Sequence, residues 1–133
     1  RYTDEARTPE KAEYVWGYER IDLATGMAES RDFGPLEVVL FSGMTRPGDR
    51  NEFFAVFNQL KKYDVAKQQV RKSVDLDHSF YCINFSSDGT KVYLAGTFNH
   101  IAIYDADTLE KLGTIELPGG DMSLTTAQVF RRP

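Results

Sequence analysis

Two recurring markers, alternating apolar runs and an Asp-Gly turn predict an all-β chain: a β-propeller of four-stranded antiparallel blades. The first marker is an Asp that follows an aromatic residue or Ile after an apolar run. It falls at Asp22 in YERIDLATG, Asp64 in LKKYDVAKQ and Asp105 in IAIYDADTLE, spaced by 42 and 41 residues. The second is a Phe that ends an alternating run, at Phe41, Phe85 and Phe130, spaced by 44 and 45 residues. A period in the low forties matches one blade per repeat. The segments alternate at period two and are rich in β-branched and aromatic residues, which argues against a helical repeat.

Residues 14–37 read as the last two strands of one blade, 37–76 as a complete blade and 79–118 as another. In the last of these, SFYCINF alternates, with Phe80, Cys82 and Asn84 on one face and Tyr81, Ile83 and Phe85 on the other. Asp88-Gly89 then marks a hairpin, because glycine accepts positive φ at no steric cost. KVYLAGT and HIAIYD follow as second and third strands. DADTLEK is a turn whose Asp105, Asp107 and Thr108 side chains suit nearby backbone amides. LGTIEL is the outermost strand, ended by Pro118-Gly119. LTTAQVF, within 124–130, reads as the first strand of a closing blade. Residues 1–13 are polar and unpatterned, and read as a loop between strands. The chain therefore holds about two to three blades of a ring that closes at four to eight. It is expected to be a processed protein or a piece of a longer one. Alone, the 133-residue segment is expected to aggregate or fold poorly.

Composition narrows the function classes. The 133 residues carry a net charge of −4 with no basic cluster, which gives no electrostatic footprint for nucleic acid or for an anionic membrane surface. No apolar run approaches the roughly 20 residues that cross a bilayer. Cys82 is the only cysteine, so an internal disulfide and a thiolate metal cluster are excluded. Alternation within FYCINF reads it as a small buried apolar residue.

Few residues carry chemistry. Asp105, Asp107 and Glu110 resemble a sparse calcium loop but lack the glycine and the bidentate Glu of such loops, so turn capping is the preferred reading. His78 and His100 are the only histidines and are expected in different blades, at blade-end loops. Without a third nitrogen or a thiolate they make a weak zinc site. Ser86 and Ser87 lack a nucleophile elbow, and Gly119-Gly120 lacks the Lys and helix of a phosphate loop. No catalytic, cofactor-binding or metal residue is expected. The loops between second and third strands, and between one blade and the next, emerge at one end of a propeller. They supply Phe57, Asn58 and Gln59; Phe98, Asn99 and His100; Asp75, Asp77 and His78; and Gly120, Asp121 and Met122. Of these, Phe57, Asn58, Gln59, His78, Phe98, Asn99, His100, Asp121 and Met122 are candidates for a protein interface or cavity wall, and a solvated rim fits them equally well.

The stretch from Asp77 to Phe130 carries His-Ser-Phe-Tyr, Ser-x-Asp-Gly-x-x-Val-Tyr-Leu-x-Gly, Tyr-Asp-Ala-x-Thr-Leu-Glu-Lys, Leu-Pro-Gly and Met-Ser-Leu. This combination resembles the C-terminal portion of the β-propeller subunit of bacterial quinohemoprotein amine dehydrogenase; VFNQLKKYDV upstream also fits. The resemblance implies a seven-bladed propeller of which this chain is the last portion. It implies a periplasmic heterotrimer that oxidises primary amines to aldehydes and ammonia. Cysteine tryptophylquinone would be carried by a small subunit held against the propeller, and haem c by a dihaem cytochrome c subunit. This chain would bind no cofactor and would help wall the amine cavity and dock the quinone subunit. It has no C-x-x-C-H haem motif, and Trp16 lies in a strand with nothing to make it a quinone precursor. The alternatives are a generic interaction propeller without redox partners and a hydrolase with a metal in the central channel. The first strands offer mainly apolar residues, which disfavours the latter.

Overall fold

The protein is described here from a computed structural model covering residues 14–36, 40–121 and 127–130. Among these residues there is no helix, and the ten strands form three antiparallel sheets. Strands β1 (Val15–Ile21) and β2 (Ala28–Pro35) make a two-stranded sheet, blade one. Blade two comprises β3 (Ser42–Arg46), β4 (Asp49–Val56), β5 (Gln59–Asp64) and β6 (Gln69–Asp75), paired in chain order. Blade three comprises β7 (Cys82–Phe85), β8 (Lys91–Ala95), β9 (His100–Asp105) and β10 (Lys111–Glu116), again in chain order. Every strand thus pairs with its sequence neighbour through a short connection, as a meander requires.

The two four-stranded sheets repeat at 41 residues in detail. The first hairpins turn at Gly48 and Gly89, with φ of 81° and 70°. A Cβ at Gly89 would stand 3.0 Å from the Pro47 carbonyl oxygen, so the hairpin of one blade rests against that of the next. Leu76 donates its amide to the Asn58 carbonyl at 3.1 Å, and Leu117 to that of Asn99 at 2.8 Å. The third-to-fourth strand corners follow Asp22, Asp64 and Asp105, and each carboxylate caps the turn. Asp22 accepts from the amides of Ala24 and Thr25, both at 2.9 Å. Asp105 accepts from those of Asp107 at 2.8 Å and Thr108 at 2.7 Å. Asp64 accepts from Lys67 at 3.0 Å. Four residues after each Asp the backbone has positive φ: Gly26 at 72°, Gln68 at 54° and Leu109 at 55°.

At Gln68 the fold holds a side chain where glycine is the natural occupant. The left-handed region costs an L-residue roughly 1–2 kcal/mol, and Gln68 is exposed, so its side chain offsets little of that cost. Gln68→Gly is therefore expected to stabilise the full-length protein by up to about 1 kcal/mol, read as a higher urea midpoint at unchanged slope.

The core lies between the sheets. β4 sends alternate side chains to opposite faces. Phe54 and Val56 meet Ile83, Phe85, Val92, Leu94, Ala102 and Tyr104 of blade three. Phe53 joins the aromatic layer against blade one, 5.8 Å from Tyr18 and 6.2 Å from Phe33 between ring centroids. Trp16 completes that layer, 4.3 Å from Tyr63 and 4.7 Å from Phe33. The outermost strands β6 and β10 are largely exposed, as outer edges are.

Several sequence expectations differ from the structure. Phe80 does not oppose Ile83 and Phe85 but shares their core, because β7 begins only at Cys82 and the chain bends at Tyr81. Cys82 is half-buried rather than enclosed. The segment expected as the first strand of a closing blade falls partly outside the described residues (124–126); its residues 127–130 pair with no described strand, and the strands expected to complete that blade belong to the expected remainder of the ring. Asn84 Nδ2 nevertheless donates to the Ala127 carbonyl at 2.6 Å, which holds that segment beside β7.

Candidate functional site

The β4–β5 and β8–β9 turns emerge at one end of the sheets, as do the chain segments entering β3 and β7. Two side-chain clusters occupy that end. In the first, Phe41, Phe57 and Tyr81 form an aromatic triangle across blades two and three. Their ring centroids are 6.2 Å apart for Phe41 and Phe57, 4.5 Å for Phe41 and Tyr81, and 5.9 Å for Phe57 and Tyr81. Phe41 keeps 55% of its surface exposed, so the triangle presents an apolar face to solvent.

The second cluster is built on the two histidines. His78 precedes β7 and His100 opens β9, and these strands flank β8 with the same direction. Both histidines therefore arrive at the same end of one blade, not at ends of different blades. Their Nε2 atoms lie 3.0 Å apart. His78 Nδ1 is 2.9 Å from the Ser79 carbonyl and 3.2 Å from Thr97 Oγ1, while the Thr97 hydroxyl donates to the same carbonyl at 2.6 Å. A carbonyl only accepts, so Nδ1 of His78 carries the proton and its Nε2 carries a lone pair. Phe80 packs 4.2 Å from the His78 ring and Phe98 4.6 Å from it. Phe98 has φ 54° and is 48% exposed, which roofs the pair with a ring held by a left-handed backbone.

The remaining rim candidates are less concentrated. Asn58 is exposed and Asn99 half-buried, and both serve the chain through the carbonyls described above. Gln59 donates from Nε2 to Asp75 at 2.8 Å across the β5–β6 ladder. Asp121 is exposed. Met122 lies outside the described residues. Asp77 accepts from Lys111 Nζ at 2.5 Å. That bond, first, and then the charges of Lys111, His78 and His100 hold its carboxyl below the ordinary range.

Sequence reasoning missed a charged seam at the opposite end of the strands. Glu52, 5% exposed, meets three cations: Lys62 Nζ at 2.9 Å, Arg46 at 2.9 Å and Arg71 at 3.0 Å. Lys62 also donates to the Ala106 carbonyl of blade three at 3.1 Å, and Arg46 reaches Asp107 at 2.6 Å. Asp64 is 1% exposed. Arg71 first, then the Lys67 amide and Asn51, hold its carboxyl at about 2. The signal was present: at the 41-residue offset Lys62 stands where blade three has Ile103, a position an apolar residue occupies. The Asp105–Asp107 turn is absorbed by capping and by this seam. Among the described residues no group of three or more His, Cys, Asp or Glu side chains is placed to hold a metal ion.

Consecutive four-stranded meanders stacked face to face with a repeated Asp corner define a β-propeller-type fold. No protein-family model and no curated protein sequence matches the chain. Among solved structures, the chain is similar to Kuenenia stuttgartiensis hydrazine synthase, with a TM-score of 0.62 and 18% identity over 79% of this chain and 31% of that one. It is also similar to the WD40 repeats of RRP9 and to U3-55K, each with a TM-score of 0.55 and 16% identity over 64% of this chain and 28% of the other. The chain spans about a third or less of the length of these structures, and at such identities the likeness concerns the fold.

Proposed function

We propose that this chain is part of an interaction propeller, a rigid frame whose blade-end rim docks a partner protein. The observation that carries this reading is the aromatic triangle of Phe41, Phe57 and Tyr81, which spans two blades and stays open to solvent. Aromatic side chains on a preorganised scaffold are the usual anchors of protein interfaces. At a finer level, the motifs shared with quinohemoprotein amine dehydrogenase support a non-catalytic propeller subunit of such a periplasmic enzyme. The partners would then be the quinone-bearing small subunit and the dihaem cytochrome c subunit. The bound quinone would supply the amine-oxidising chemistry. This chain's residues would supply a stiff, water-excluding wall that fixes the small subunit in place. The 18% likeness to hydrazine synthase adds an enzyme among the fold neighbours.

Native purification of the full-length protein tests both levels. Co-purification with a polypeptide that stains for quinone and with c-type haem absorbance is the expected result. Partners without either cofactor leave the interaction reading and remove the dehydrogenase. A full-length protein that purifies alone overturns both, and partners that stay bound when Phe41 and Tyr81 are replaced by Ser remove the aromatic triangle as the docking surface.

A further inference from the structure

We propose that His78 and His100 form a two-imidazole chelate for a tetragonal divalent transition ion, Cu²⁺ foremost, at the rim of blade three. The proposal is independent of the docking reading above. Its first basis is convergence: two imidazole nitrogens of the same type face each other at 3.0 Å. With metal–nitrogen bonds of about 2.05 Å, that separation subtends about 94° at a shared ion. A tetrahedral ion would hold the same nitrogens about 3.3 Å apart. The observed spacing fits the near-right angle of tetragonal copper or nickel sites, and copper heads the affinity order of divalent ions for nitrogen donors.

The second basis is the tautomer. The Ser79 carbonyl and Thr97 Oγ1 hold the Nδ1–H of His78, which leaves its Nε2 lone pair directed at His100. A carbonyl bonded behind a ligating imidazole is the outer-shell arrangement that orients metal-bound histidines. Without an ion, the neutral pair is joined by one Nε2–H···Nε2 hydrogen bond in which His100 donates; on metal binding that proton moves to Nδ1 of His100, which frees its Nε2 lone pair for the ion without net proton release. Both histidines are half-buried, so their rings are held by packing yet keep part of their surface in contact with solvent. Phe80 and Phe98 pack against the rings and restrict their rotation. Two coordination positions belong to the protein, and water or a docked side chain takes the rest.

The experiment uses the full-length protein, stripped of metal with EDTA, desalted and titrated near neutral pH by calorimetry and electron paramagnetic resonance. The expected result is one saturable Cu²⁺ equivalent with nitrogen hyperfine structure from two imidazoles, and weaker Zn²⁺ binding. His78→Asn and His100→Gln each weaken binding by more than about tenfold, and Thr97→Val by about tenfold through loss of the orienting bond. If either histidine variant fails to fold, the spectrum of the unaltered protein decides. Absence of saturable binding, a spectrum without two imidazole nitrogens, or undiminished binding in a folded double variant overturns the proposal.

Discussion

Glu52→Ala destabilises the full-length protein by about 3–5 kcal/mol, the largest loss expected of any charge removal here. Glu52 is the one carboxylate shared by Lys62, Arg46 and Arg71, all within 3.0 Å. Its removal leaves Lys62, whose side chain is 8% exposed, beside two guanidinium groups with only a carbonyl and the more distant Asp107 to answer it. Taking one partner from a buried ion cluster costs far more than the net worth of the cluster, because a charge stays desolvated without compensation. Urea denaturation reads the effect as a lower midpoint with unchanged slope. Arg20→Ala at the exposed Arg20–Glu29 pair serves as the contrast and shifts the midpoint little. Equal effects at the two sites would show that the seam is solvated.

Phe54→Ala is expected to cost about 3–5 kcal/mol as well, by a different route. Phe54 is fully buried and meets the edge of Phe85 at 5.0 Å between centroids, across the boundary of blades two and three. The Lys62 ammonium lies 5.5 Å from the centre of the Phe54 ring. Truncation removes apolar surface and leaves a cavity between two rigid sheets that cannot collapse onto it. The double variant Glu52→Ala/Phe54→Ala tests their coupling. Both groups enclose the same lysine, so the two losses should not add. A strictly additive loss would mean that the ring and the carboxylate stabilise the seam separately.

These two predictions mark where the sequence was readable and where it was not. The corners were readable because their chemistry is local. Asp22, Asp64 and Asp105 each cap amides within three residues, and a carboxylate is needed at that point whatever surrounds it. The hairpin at Asp88-Gly89 was readable for the same reason, since positive φ selects glycine without help from distant residues. Lys61 and Lys62 were not, because alternation assigns lysine to solvent, whereas Glu52 and blade three receive Lys62 inside. The histidine pair failed likewise. Twenty-two residues separate His78 from His100, and only the placement of β7 and β9 on either side of β8 brings them together. Counting strands from the start of each repeat would have exposed it.

The bond from Lys62 to the Ala106 carbonyl also bears on how the molecule is made. The acceptor belongs to the following sheet, 44 residues beyond the donor. Within the second sheet the ammonium already has Glu52 as partner, and the Ala106 carbonyl of the next sheet takes a further N–H that water would otherwise hold. The second sheet therefore completes its interior only when the following sheet settles onto it.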